Sequence, residues 1–97
     1  MKRVIVSRAA RSDLVEIWEY IASENIEAAD RVRSEIRARF EMLLKFPEIG
    51  RRRDELKKGL RSFPVERYLV FYFVTKSDIR IARVLHGARD IESIFKE

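Results

Sequence analysis

At 97 residues the chain has room for one domain, and a 46% hydrophobic composition with ten aromatics is enough for a single core. There is no cysteine, which excludes disulfides, thiolate metal sites and a cysteine nucleophile. The formal charge is +5, from 21 Lys and Arg against 16 Asp and Glu, which favours an acidic partner, either nucleic acid or an acidic protein segment.

The first element is a short strand, "RVIVS", Arg3 to Ser7, rich in β-branched residues. Only Val4, Ile5 and Val6 are apolar there, against the roughly 7 to 15 of a secretory h-region. Nor does any later run approach the roughly 18 apolar residues of a membrane span. A soluble, cytoplasmic protein beginning at its native N-terminus is expected.

Ser7 can cap a helix in which Ala10, Leu14, Ile17 and Ile21 recur on one face, widened by Val15, Trp18 and Ala22. Trp18 is read as core or as a helix–helix contact. "SENIEAAD" interrupts the pattern, and Asn25 can cap a second helix whose apolar stripe is Ala29, Val32, Ile36, Phe40 and Leu43. Arg31, Arg33, Arg37 and Arg39 fall between the stripe residues, interleaved with Glu35 and Glu41, as a solvated face with intrahelical pairs. Pro47 ends the helix and "PEIG" turns the chain. The short connection makes the two helices an antiparallel hairpin.

Arg51 to Gly59, "RRRDELKKG", reads as a charged loop anchored only by Leu56. Three strands follow, Leu60–Glu66, Arg67–Thr75 and Ile79–His86, with "KSD" at 76–78 as a hairpin loop. Pro64 puts its strand at an edge, because proline cannot donate to a ladder. The middle strand is apolar on both faces, Leu69, Phe71 and Phe73 alternating with Val70, Tyr72 and Val74. A sheet with helices on one face only should alternate apolar and polar. A second cover is therefore required, in part from Ile91, Ile94 and Phe95 as a final helical turn and in part from a partner.

Most catalytic inventories fail. One histidine and no cysteine leave too few ligands for a usual zinc site. No phosphate-cradling glycine motif occurs, and no cofactor is implied. His86, at the end of an apolar strand, reads as a packed, hydrogen-bonded residue. Arg89 and Asp90 can pair with each other or fix the tail to the sheet. The run Arg51, Arg52, Arg53, Lys57 and Lys58 has no interleaved aromatics for base stacking and reads first as a solvated loop.

The order of pieces carries a resemblance. "SRAARSDLVEIWEYIA", the "PEIG" turn, "GLRSFPVERYLVFYFV" and "RVLHGARD" before a short apolar tail together resemble the RelE/ParE superfamily of toxins from bacterial toxin–antitoxin pairs. The resemblance implies an α+β fold, β-α-α-β-β-β, with a helical hairpin packed on a small, mainly antiparallel sheet. RelE-like members are ribosome-dependent mRNA endonucleases, whereas ParE-like members poison DNA gyrase by binding. The RelE pattern places lysines where this chain has Leu60 and Ser62, an arginine where Leu69 follows Tyr68, and a terminal tyrosine where Phe95 stands. Only Arg89 matches. A lone cation cannot both take a proton and stabilise a dianionic centre, so the departures favour the ParE branch.

That branch implies a non-enzymatic toxin with no cofactor. Its expected target contact is His86, Arg89, Asp90, Ile91, Ile94 and Phe95, with Asp90 orienting Arg89. It also implies a ParD-like antitoxin whose acidic C-terminal segment folds onto Trp18, Arg31, Arg37, Arg51 and Arg53 in a hetero-oligomer. An alternative nuclease site would use Arg61, Arg83, His86 and Arg89. A non-toxic relic that only holds its antitoxin is the third reading.

Overall fold

Two side-chain caps start the helices at the positions legible in the sequence. In a computed structural model that describes residues 2–96, Ser7 Oγ accepts from the Ala10 amide and Asn25 Oδ1 from the Ala28 amide. Between and after them run β1 (Arg3–Val6), α1 (Arg8–Ala22), α2 (Ile26–Lys45), β2 (Arg51–Arg52), β3 (Arg61–Val65), β4 (Tyr68–Val74), β5 (Asp78–His86) and α3 (Ile91–Phe95). The sheet has five strands in the order β1-β5-β4-β3-β2, parallel only between β1 and β5. Among the described residues no helix is long and apolar enough to cross a membrane.

The helical hairpin covers one face of the sheet. Ala10 from α1 and Val32, Ile36, Phe40 and Leu43 from α2 are buried against Phe63, Val65, Tyr68, Val70, Tyr72, Ile79, Ile81 and Val84. Each large side chain removed from water there contributes about 1.5–3 kcal/mol. Val15, expected to widen the inward face of α1, instead points outward and is 56% exposed. It lies one residue past Leu14, about 100° further round the helix, where the sheet no longer reaches.

The second face of β4 is covered from within. Leu60, Phe71 and Leu85 are buried under Leu56, Ile91, Ile94 and Phe95, and the rings of Phe71 and Phe95 lie 4.9 Å apart. The doubly apolar strand is thus met by α3 and the charged loop. Ile91, Ile94 and Phe95 remain only half-buried.

Two features of the sheet differ from the sequence reading. Arg51 and Arg52 are not loop but a two-residue outer strand, opposite Ser62 and Arg61. This strand ends before Pro64, so the proline keeps the unpaired flank it needs although β3 is not the outermost strand. In β5, Tyr72 pairs with Ile81 and Phe71 with Arg83, leaving Ala82 as an extra residue. The bulge shifts the alternation, so Ile79, Ile81 and Val84 all face the helices while Ala82 and Leu85 face α3.

Past Ile81, β5 keeps β4 on one side but has no strand on the other, because β1 ends at Val6. Side chains from the start of α1 take the place of that strand. Ser7 Oγ donates to the Ala82 carbonyl at 2.9 Å, and Asp13 Oδ2 accepts from the Val84 amide at 3.0 Å. Asp13 also receives Arg83 Nε and Nη2, both at 2.8 Å, as a bidentate pair. Buried to 7% exposure, this carboxylate fixes the end of β5 that leads to His86.

Candidate functional site

The C-terminal end of β5, the β3–β4 turn and the facing parts of α1 and α2 enclose a groove of about 730 Å³. Its floor is apolar, with Ile17, Ile21 and Val32, and its rim holds Tyr20, Arg31, Glu66, Arg67, His86 and Arg89. Glu66 and Arg67 form the two-residue hairpin loop between Val65 and Tyr68. Glu66 there takes φ 57°, a conformation that favours glycine. Arg31 donates to Glu66 at 2.8 Å and to Glu35 at 3.2 Å. These contacts, the Glu66 bond first, raise the Arg31 guanidinium above its usual value.

His86 is exposed rather than packed as expected. The bulge keeps it on the helix side of the sheet, but it stands at the strand end, beyond the hairpin's cover. Its ring meets Tyr68 edge-on at 5.5 Å, and Nδ1 accepts the Ala88 amide at 3.0 Å. An accepting Nδ1 puts the neutral ring's proton on Nε2. Gly87 donates its amide to the Arg67 carbonyl at 2.9 Å, which holds the hairpin turn beside the 86–89 segment.

Asp90 does not orient Arg89. It is the N-cap of α3, taking the Ser93 hydroxyl at 2.8 Å and the Ser93 amide at 3.4 Å. Arg89 is exposed and makes no side-chain hydrogen bond or ion pair among the described residues. The expected target patch therefore divides. His86 and Arg89 line the groove on the helix side, while Ile91, Ile94 and Phe95 lie on the opposite face of the sheet.

The residues expected to meet an acidic segment also separate. Trp18 and Arg37 line a second groove of about 510 Å³ with Val6, Leu14, Val15, Ile36 and Phe40, rimmed by Arg11 and Arg33. Trp18 makes the anticipated helix–helix contact, Nε1 donating to Asp30 at 3.0 Å with the Arg33 guanidinium 5.8 Å from its ring centre. Arg31 belongs to the first groove. Arg51 is exposed on β2, at the far edge of the sheet. Arg53 is not a free cation. It lies over the Phe71 ring at 5.5 Å, donates to Ser62 Oγ at 3.0 Å and to Glu55 at 2.9 Å, and leaves 14% of its side chain exposed. It anchors the charged loop together with Leu56.

The alternative nuclease constellation does not assemble. Arg83 is held by Asp13, a hydrogen bond that raises its guanidinium above the usual value. Arg61 donates to the carbonyls of Gly50 at 2.8 Å and Glu48 at 3.3 Å and lies outside the groove of His86 and Arg89. Leu60 and Ser62 are buried. No cluster of metal-ligating side chains occurs among the described residues. The polar and aromatic groove residues missed in the sequence are Asp13, Glu16, Tyr20, Glu66, Arg67 and Tyr68. Asp13 carried a signal, since it sits in the inward stripe three residues after Ala10.

The family described as ParE toxin of type II toxin-antitoxin system, parDE, matches residues 4–91, stopping at the first residue of α3. Toxin ParE3 of Caulobacter vibrioides is 33% identical over 94% of this chain and 92% of its own length. Toxin ParE1 of Mycobacterium tuberculosis is 30% identical over 93% of this chain and 94% of its own. A solved structure described as the chromosomal ParDE TA system from P. aeruginosa superposes with a TM-score of 0.73 at 22% identity, covering 89% of this chain and 95% of that one, and shares the fold. The chain belongs to the ParE family of type II toxin–antitoxin toxins.

Proposed function

We propose that this chain arrests growth by binding DNA gyrase and stabilising its cleaved-DNA state, and that a ParD-like antitoxin neutralises it. It acts as a binding toxin in the cytoplasm and not as a nuclease. One observation carries this choice. The positions where a RelE-type nuclease needs its cations are Leu60 and Ser62, both buried, and Leu69 in the packed second face, whereas Arg89, unpaired among the described residues, lines an open groove with His86. A surface of that kind can grip a partner but has no constellation for moving a proton and stabilising a phosphorane.

Separate surfaces of the molecule divide the work. The target contact uses His86 and Arg89 on the helix side of the sheet and the half-buried tail Ile91, Ile94 and Phe95 on its other face, and Asp90 serves it by capping α3. The antitoxin's acidic, partly disordered C-terminal segment folds as an amphipathic helix along the second groove. Its apolar side meets Trp18, Ile36 and Phe40, and its carboxylates meet Arg37, Arg11 and Arg33. In cells expressing the chain without antitoxin, growth arrest should come with chromosomal breaks and unchanged mRNA 5′ ends. New mRNA ends without breaks would contradict the gyrase reading.

A further inference from the structure

We propose that the corner formed by Arg67, His86 and Arg89 is a phosphodiester site that grips the DNA backbone directly. Arg67, His86 and Arg89 all line the groove. The Arg67 and Arg89 side chains have no internal hydrogen bond or ion pair among the described residues. His86 is oriented with Nδ1 occupied by the Ala88 amide, so its Nε2–H is free to donate. The Gly87–Arg67 backbone bond at 2.9 Å keeps the two arginine-bearing segments together.

The acidic groups of the groove leave this corner cationic. Asp13 is held by Arg83, and Glu66 by Arg31. Glu16 is the groove carboxylate without an arginine partner among the described residues, and it lies on α1. Tyr20, 78% exposed on the same rim, offers a ring for a sugar or base. Guanidinium and imidazole donors arriving from separate segments suit a phosphoryl group, whose oxygens point in several directions, better than a planar carboxylate. The apolar second groove is the better match for an acidic peptide helix.

The inference deepens the gyrase reading by assigning part of the target contact to DNA. It is measured without gyrase, so it can fail while gyrase inhibition stands, and the reverse. The probe is a fluorescein-labelled 20-base-pair duplex, read by anisotropy with the whole chain. Two or three phosphate contacts should weaken binding roughly 12-fold to 40-fold between about 50 and about 200 mM salt. Arg67→Ala/Arg89→Ala, both on exposed side chains, should lower the magnitude of the salt slope by about 2. The charge-matched Lys57→Ala/Lys58→Ala should keep the slope, with unchanged melting temperatures confirming that both double variants are folded. Equal losses in the two variants would reduce the effect to diffuse charge and overturn the site. So would no binding at low salt, or tighter binding of a polyglutamate peptide than of the duplex at Arg67 and Arg89.

Discussion

Asp13→Ala should be among the most damaging single substitutions in this fold. The carboxylate accepts Arg83 Nε and Nη2 and the Val84 amide, and is buried to 7%. Removing one partner of a buried ion pair costs about 3–5 kcal/mol, because the other charge is left without compensation. The Arg83 side chain keeps 26% exposure, so water recovers part of its solvation and the lower end of that range applies, about 3 kcal/mol. The orphaned Val84 amide adds about 1 kcal/mol. A total of about 3–4 kcal/mol is a large share of the 5–15 kcal/mol typical of a domain. At about 5 °C per kcal/mol for a chain of this length, the melting temperature should fall by about 15–20 °C. Asp13→Ala/Arg83→Met removes both charges and should be more stable than Asp13→Ala alone, with a coupling energy of about 1–3 kcal/mol. Urea unfolding followed by circular dichroism gives the cycle. A loss below about 1 kcal/mol for Asp13→Ala, or strictly additive singles, would refute the claim that this pair secures the end of β5.

Gly50→Ala should destabilise by about 1–3 kcal/mol. An added Cβ would stand 2.6 Å from the Tyr72 hydroxyl and 3.0 Å from the Ser62 carbonyl, where Gly50 N–H now donates to Tyr72 Oη. Unchanged urea midpoints would show that the Gly50–Tyr72 contact can give way. The charged loop should loosen in acid. Arg52 and the Gly59 amide both donate to Asp54 and hold its carboxyl below the usual carboxylate range. The folded state therefore binds that proton less tightly than the unfolded chain. The stabilisation is complete above the ordinary carboxylate pKa and disappears as pH falls through the lower folded value. Asp54→Asn should flatten that part of the stability–pH curve, and an identical curve would remove Asp54 from the account.

The helical hairpin was legible because its causes are local. Ser7 and Asn25 stand before two apolar stripes of helical period, and Pro47 follows the second. The doubly apolar β4 was equally readable, together with the tail that covers it. The unread parts depend on distant partners. Asp13 and Arg83 are 70 residues apart, so nothing local shows that a carboxylate in the α1 stripe stands in for a strand. The Ala82 bulge has no sequence mark, yet it decides that Val84 faces the helices and Leu85 the tail. Two arginines with no apolar neighbour gave no period from which to read β2. At the candidate site, His86 and Arg89 were found by resemblance. Arg67 was missed because nothing local shows that the hairpin turn reaches the 86–89 segment. The capping role of Asp90 was open to view in its spacing to Ser93, an Asx cap hidden behind the adjacent Arg89.

The most direct test of the central claim is a supercoiling gel with purified protein, gyrase, relaxed plasmid and ATP. The account predicts that supercoiling stops and that linear, protein-linked DNA accumulates. Arg89→Ala, folded by its circular dichroism spectrum, should lose that effect while still binding antitoxin. Full supercoiling in excess of a growth-arresting preparation, or undiminished inhibition by Arg89→Ala, would contradict it.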